Sequence, residues 1–153
     1  MTPAIRFLKH IGSEFKVHTY ECHISDDFGK HCAKQLQVEE NKVFKTLLIH
    51  HDKQAVTAIV PVNKRLNLKA SAKLAHLKQV ELMAPADAER ITGYKVGGIS
   101  PFAQKKALPT LLEESALAYA SILVSGGKRG VSIEIAPQAL IHLLNASVAI
   151  IGE

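Results

Sequence analysis

The sequence predicts an α+β fold with a mixed, mostly antiparallel sheet and surrounding helices. Short strand patterns and short helix patterns are intermixed along the chain, without the regular alternation of a doubly wound fold. The 153 residues are enough for a sizeable core, and 47% of them are hydrophobic. We therefore expect a single domain that spans residues 1–153.

A cap and a side-chain alternation predict the first elements. Thr2 can cap a helix that begins at Pro3, and Gly12 can end it. Residues 15–20 then alternate apolar and polar side chains, as a half-buried strand does. Residues 28–37 have the pattern of a short helix.

Two apolar, β-branched runs follow, at residues 43–49 and 55–62. Because only the five polar residues 50–54 separate them, these runs predict a hairpin of two buried strands. His50 and His51 lie between the runs, and we interpret them as turn residues rather than as metal ligands or catalytic groups.

The second half continues this mixture of short elements. Asn67 can cap a helix through His76, and proline begins further helices at residues 85–91 and 137–144. The remaining apolar segments predict short strands at residues 80–82, 110–112, 121–124, 131–135 and 148–151.

The composition limits the possible partners. Lys and Arg outnumber Asp and Glu by 19 to 14, which is compatible with a polyanionic partner but does not require one. With five Phe, three Tyr and no Trp, a base-stacking surface is not expected. No apolar run approaches the ~20 residues of a membrane span, and no signal peptide is evident. We expect a cytoplasmic protein with no membrane or DNA partner.

The sequence also gives little reason to expect a metal or a cofactor. Cys22-His23 and His31-Cys32 bring four possible ligands near one another, but their spacing lacks the C-x2-4-C knuckle of zinc sites. The segment 125–130 fails the phosphate-loop pattern, since Ile122 replaces its first glycine and Arg129 stands at its Ser/Thr position. ATP binding is therefore not predicted.

Three segments remain as candidates for chemistry. Lys45 lies within an apolar strand, where a lysine must extend to solvent, pair with a carboxylate, or face a pocket. The loop at residues 97–101, Gly-Gly-Ile-Ser-Pro, can bring a ligand close to backbone N–H groups or can be a simple tight turn. The segment 125–130, Ser-Gly-Gly-Lys-Arg-Gly, can contact phosphates or can be a hairpin loop.

These three segments, taken together and in this order, resemble the YbaK family of freestanding aminoacyl-tRNA deacylases. That family is related to the editing domain inserted in bacterial prolyl-tRNA synthetases, and the resemblance covers essentially the whole chain. It implies that the sheet is curled into a partly open barrel. It also implies that Lys45 is the residue most closely tied to activity, and that the backbone of Gly97 lies at the aminoacyl ester.

The resemblance further implies a substrate-binding set around these two catalytic residues. Tyr20 and Phe28 would help to close the pocket around the amino acid, although a core role for Phe28 is the alternative. The remaining expected contacts come from the strand of Lys45 and from the two glycine-containing segments: Thr46, Gly98, Ile99, Ser100, Pro101, Ser125, Gly126, Gly127, Lys128 and Arg129.

The sequence has no recognisable nucleophile motif, neither G-x-S-x-G nor H-E-x-x-H. For a cysteinyl ester, the resemblance favours attack by the substrate's own thiol, with the protein supplying position and backbone donors. It implies a trans-editing deacylase for Cys-tRNA(Pro), and less selectively for Cys-tRNA(Cys), that binds the tRNA 3′ end and associates with prolyl-tRNA synthetase. An Ala-tRNA(Pro) deacylase and a noncatalytic module that binds RNA ends or nucleotides are the alternatives.

Overall fold

The computed structural model describes residues 1–153 and has an α+β architecture. Five α-helices are present: α1 Pro3–His10, α2 Phe28–Leu36, α3 Leu68–Leu74, α4 Pro85–Thr92 and α5 Pro137–Leu144. Eight strands accompany them: β1 Lys16–Thr19, β2 Phe44–His51, β3 Gln54–Pro61, β4 Glu81–Leu82, β5 Thr110–Glu113, β6 Ile122–Lys128, β7 Val131–Ile135 and β8 Ser147–Ala149. Two short 3-10 helices, Glu40–Lys42 and Glu114–Ala118, were not predicted from the sequence.

The strands form two sheets. One has the order β1-β7-β6 and is antiparallel throughout. The other has the order β4-β2-β3-β5-β8, with antiparallel pairs on β2 and parallel pairs from β3 to β8. The sheets meet where Val43 and Leu123 form an isolated parallel bridge. The predicted α+β class and mostly antiparallel pairing are confirmed, but the expected single sheet is divided into two and neither closes on itself.

Helix α1 is fixed against the three-stranded sheet by its cap. Thr2 Oγ1 accepts a hydrogen bond from the Ile5 N–H at 3.2 Å, as the sequence predicts, and donates one to the Gly126 carbonyl at 2.5 Å. The same hydroxyl therefore begins the helix and joins it to β6. The buried face of α1 packs into the largest cluster of the core, which includes Phe44, Phe102 and the inward side chains of β6 and β7.

The β2–β3 hairpin is tighter than predicted. His50 and His51 are the last residues of β2, so their interpretation as turn residues is wrong. The turn consists only of Asp52 and Lys53, with His51 paired directly to Gln54. A two-residue hairpin turn uses positive φ values, and Asp52 supplies one at φ 51 because aspartate tolerates this region better than most residues.

Two other boundaries differ from the sequence prediction. Helix α3 is capped by Asn67, as predicted, but ends at Leu74, and His76 lies beyond it with φ 59. Strand β6 continues past residue 124 to Lys128, with an irregularity in its register between Ser125 and Lys128. Gly127, at φ +101, accommodates that irregularity.

The C-terminal residues are held by a buried carboxylate. Glu113 Oε2 accepts hydrogen bonds from the N–H groups of Ile151 and Gly152 at 2.7 and 2.5 Å. Gly152 also bridges to Leu66, the residue that leads into α3. None of the five helices has the length and apolar character that crossing a bilayer requires.

Candidate active site

A cavity of about 440 Å³ lies where the two sheets meet, within the size range of small-molecule sites. Its wall is mainly apolar and comes from the start of α2, from β2, from α4, from the loop after α4, and from β6 and β7. The polar and charged members of this wall are Tyr20, Asp27, Lys30, Cys32, Lys45, Thr46, Ser125 and Ser132. Such a lining can enclose a small apolar group while a few polar atoms fix its orientation.

The cavity exists because one edge of β2 lacks a partner strand along part of its length. Val43, just before β2, pairs with Leu123, and β2 pairs with β4 only at Ile49 and His50. Met83 adds a hydrogen bond from its N–H to the Leu48 carbonyl at 2.9 Å. Residues 44–47 between these contacts have no strand on this side, so the cavity occupies the place of the missing strand.

Thr46 lies at the centre of this open edge. Backbone groups in an antiparallel pair point alternately toward and away from the partner strand. The Leu48 carbonyl points away from β3, since it accepts the hydrogen bond from Met83. By this alternation the backbone N–H and carbonyl of Thr46 also face the open edge. The Thr46 hydroxyl is buried and has no hydrogen-bond partner. A buried unsatisfied hydroxyl costs roughly 1–3 kcal/mol, a cost that a hydrogen bond to a bound ligand would remove.

Lys45 brings an unpaired ammonium group to the cavity. Its side chain is half-buried and forms no ion pair within the protein. Burial lowers the pKa of this ammonium and the nearby Lys30 lowers it further, while Asp27 opposes both effects. An ammonium group held in this way is suited to an anionic or strongly polar ligand atom.

The loop after α4 supplies a free backbone donor. Gly97 adopts φ +90, a conformation that L side chains rarely take, and its N–H makes no hydrogen bond within the protein. A Cβ there would lie 2.7 Å from Arg129 Nε and 2.9 Å from Phe28 Cζ. The glycine is thus required both by its backbone conformation and by the two side chains that cover it.

Arg129 and Phe28 form a cover over this loop. The Arg129 guanidinium stacks 4.5 Å from the centre of the Phe28 ring, a cation–π contact. Arg129 Nε also donates a hydrogen bond to the Val96 carbonyl at 3.0 Å. Three distant segments, the start of α2, the loop after α4 and the β6–β7 turn, are therefore joined at one side of the cavity.

A second group of polar atoms lies around Tyr20. Cys32 Sγ and Ser132 Oγ are 3.1 Å apart, and both residues line the cavity together with Tyr20. Burial raises the pKa of Tyr20, and the adjacent Cys32 adds to this effect. The phenol is therefore a neutral hydrogen-bonding group at neutral pH.

Residues 28–143 match the family model described as the aminoacyl-tRNA editing domain. The chain belongs to the aminoacyl-tRNA editing domain family. The match begins at Phe28, which covers the Gly97 loop, and includes both Lys45 and Arg129.

Individual relatives of this editing domain extend over nearly the whole chain. A candidate Cys-tRNA(Pro)/Cys-tRNA(Cys) deacylase, EbsC of Enterococcus faecalis, is 39% identical over 152 residues, which are 97% of this chain and 91% of that protein. A solved structure described as a candidate trans-editing enzyme for prolyl tRNA synthetase superposes with a TM-score of 0.86 at 24% identity, covering 100% and 98% of the two chains. A solved hypothetical protein gives 0.88 at 24% identity and covers 99% of each chain. Both superpositions show that the chain has the same fold as these two proteins.

The editing domain brings together half of the residues predicted from the sequence. The predicted residues that line the cavity are Tyr20, Phe28, Lys45, Thr46, Gly97, Ile99 and Ser125. The predicted residues outside its lining are Gly98, Ser100, Pro101, Gly126, Gly127, Lys128 and Arg129. Most of the second group have structural contacts with neighbouring segments.

Gly98 and its successors have structural contacts. A Cβ at Gly98 would lie 2.8 Å from the backbone of Lys128, and the Gly98 N–H is already donated to the Lys95 carbonyl at 2.9 Å. Gly98 therefore lets two loops approach each other and is not a free donor. Ser100 is fully buried, with its Oγ accepting from the Phe102 N–H, and Pro101 is also buried.

Gly126 and Gly127 likewise have structural contacts and do not line the cavity. The Gly126 carbonyl accepts from Thr2, and a Cβ at Gly127 would lie 2.8 Å from the Tyr94 ring. Gly127 therefore lets β6 approach the start of α1 closely, whereas a Cβ at Gly126 would lie 2.6 Å from Val131 Cγ1 on β7. Of this segment, Ser125 lines the cavity, and Arg129 reaches its edge through Phe28.

The structure also adds residues that the sequence did not single out as site residues. Asp27, Lys30, Met83 and Ser132 line the cavity. Asp27 and Lys30 are close in sequence to Phe28, so their position beside an aromatic residue predicted to close the pocket could have identified them. Met83 and Ser132 are brought in by the pairing of β2 and β7, which local sequence does not reveal.

The Thr46 hydroxyl provides a direct test of the cavity. Thr46→Val removes a buried unsatisfied group, so the melting temperature should stay equal or rise by a few degrees. Deacylation of an aminoacyl-tRNA should nevertheless fall about 10-fold, because the ligand loses one hydrogen bond.

Thr46→Ser is the matched control, since it keeps the hydroxyl and should retain most of the activity. Thermal melting and single-turnover deacylation measure the two effects. A Thr46→Val variant that is less stable and fully active would show that the hydroxyl has no ligand role.

Proposed function

We propose that this editing domain is a trans-acting deacylase that cleaves the aminoacyl ester of Cys-tRNA(Pro), and less selectively that of Cys-tRNA(Cys). One observation carries the proposal. The Lys45 ammonium, which has no ion-pair partner, and the Gly97 N–H, which has no acceptor in the protein, line the same mainly apolar cavity. The 39% identity with the Enterococcus faecalis protein supports the choice of substrate.

In this proposal Lys45 and Gly97 act on the ester. An ester carbonyl gains negative charge on its oxygen as it is attacked, and donors already in place stabilise that charge. The Gly97 N–H is free for this role, and Lys45 holds the ribose or carbonyl oxygen. The hydroxyl and backbone N–H of Thr46 add donors along the open edge of β2.

The rest of the site holds the substrate. Tyr20, Phe28, Ile99 and Ser125 enclose the amino acid within the cavity. Lys128 and Arg129, exposed beside the entrance, contact the terminal phosphates of the tRNA. None of these contacts would read the bases of the tRNA. We therefore propose that prolyl-tRNA synthetase supplies the selectivity for the tRNA. We also propose that the protein acts in the cytoplasm.

The nucleophile in this proposal is the thiol of the substrate. Cys22 does not line the cavity, and Cys32 contacts Ser132 rather than a general base. The substrate sulfur attacks the ester carbonyl carbon, and the carbon–oxygen bond to the ribose breaks. The thiol proton passes to the ribose oxygen, which releases the tRNA with a free 3′ hydroxyl and a cysteine thiolactone that water opens.

Lys45→Ala tests the proposed activity. Because the ammonium contacts the reacting ester, deacylation of Cys-tRNA(Pro) should fall at least about 100-fold without loss of the fold. Lys53→Ala, in the β2–β3 turn, is the matched control and should turn over normally. Single-turnover rates and thermal melting are the measurements. A folded Lys45→Ala variant with normal turnover would remove Lys45 from the site, and a native protein that binds but never cleaves the ester would instead be a binding module.

The substrate-thiol mechanism predicts a strong preference for cysteinyl over seryl esters. A hydroxyl is a much poorer nucleophile than a thiol, so Ser-tRNA(Pro) should turn over at least about 100-fold more slowly at saturation. Cys22→Ala and Cys32→Ala should both retain cleavage of Cys-tRNA(Pro).

The rates are compared at saturating substrate, so that differences in binding do not contribute. Ala-tRNA(Pro) is the control substrate, because its side chain has no nucleophile. Equal saturated rates for the cysteinyl and seryl esters would assign the attack to water activated in the cavity.

A further inference from the structure

Asp27 occupies an unusual position at the entrance of the cavity. It immediately precedes α2 and adopts the left-handed conformation, with φ 50 and ψ 40. Aspartate at this position commonly caps a helix through its side chain, yet Asp27 forms no such hydrogen bond. The left-handed conformation is uncommon for a non-glycine residue, although aspartate tolerates it better than most.

The side chain of Asp27 is exposed to solvent where it lines the cavity, and its carboxylate has no partner within the protein. It takes part in none of the ion pairs, although Lys30 and Lys45 line the same cavity. It is also the only carboxylate in the lining. Lys45 responds to its charge, which places Asp27 within electrostatic range of the ammonium assigned to the ester.

The charge of an aminoacyl ester matches this arrangement. Next to its carbonyl carbon, such an ester carries an α-ammonium group, which is its one cation. Two lysines on the cavity wall would repel this α-ammonium group, unless a carboxylate on the wall binds it. Asp27 is the lining residue that has this charge and lacks a partner.

We propose that Asp27 binds the α-ammonium of the aminoacyl group and so makes the site specific for esters with a free amine. This inference rests on the proposed deacylase function and names the subsite that orients its substrate. With the ammonium at Asp27, the carbonyl beside it is directed to Lys45 and Gly97.

This subsite has a consequence for substrate choice. Peptidyl-tRNA and N-formylated aminoacyl-tRNA carry an uncharged amide in place of the ammonium. An uncharged amide gains no charge-assisted hydrogen bond from Asp27. The site therefore spares acylated tRNAs whose amine is already blocked.

The test combines one substitution with one change in the substrate. Asp27→Asn removes the charge and keeps a residue that tolerates positive φ. Asp26→Asn is the matched control, because Asp26 is the neighbouring acid and is exposed like Asp27, but it does not line the cavity. The second substrate is 3-mercaptopropionyl-tRNA, which keeps the ester and the thiol of cysteinyl-tRNA but lacks the amine.

Asp27→Asn should lower kcat/KM for cysteinyl-tRNA about 10-fold, the usual effect of losing a charge-assisted hydrogen bond. For 3-mercaptopropionyl-tRNA the same substitution should change kcat/KM less than 2-fold, and Asp26→Asn should change neither substrate. An equal loss on both substrates would mean that Asp27 acts on the fold or on Lys45. No loss on cysteinyl-tRNA would mean that Asp27 is a solvated surface acid, and either result overturns the proposal.

Failure of this inference is distinguishable from failure of the proposed function. If the native protein cleaves neither ester, the proposed deacylase activity itself is wrong. If it cleaves cysteinyl-tRNA and Asp27→Asn does so equally well, the activity stands and only the ammonium subsite is wrong.

Discussion

The incomplete pairing of β2 is the constraint on which the candidate site depends. Its inner edge is fully paired with β3, whereas its outer edge is paired only at the two ends, by Leu123 and by β4. The strand is therefore held rigidly while its middle residues lack neighbours on one side. This arrangement leaves backbone groups of the middle residues without a partner strand and provides space for a ligand on a stable framework.

The opposite wall of the cavity depends on close approach between loops. Gly98 lies against the backbone of the β6–β7 turn, and this contact brings Arg129 over Phe28 and Gly97. Because Gly97 combines a positive φ with a free N–H, the loop presents a fixed backbone donor rather than a flexible side chain. A donor that is fixed before the substrate binds requires little reorganisation during the reaction. The two glycines thus have different tasks, one in packing and one at the proposed ester.

Sequence patterns predicted the helices and strands, and the family resemblance pointed to Lys45 and Gly97, which both line the cavity, but neither gave the spatial details around them. The caps at Thr2 and Asn67 depend on adjacent residues, so local sequence was enough to find them. The separate tasks of Gly97 and Gly98 depend on contacts with residues about 30 positions later, which a glycine pair alone does not reveal. Asp27 was missed because two acids before a helix are typical of a cap, and only the structure shows that no cap bond is made.

The central claim is that the cavity beside β2 receives the aminoacyl end of a tRNA. The most direct test is an NMR titration of the protein with 3′-deoxy-3′-(cysteinylamino)adenosine, in which an amide replaces the labile ester. We expect the largest shifts in the backbone N–H signals of Thr46 and Gly97, with little change at the distant Gly152. Shifts that cluster elsewhere on the surface, or an analogue that binds without perturbing Thr46 and Gly97, would contradict the claim.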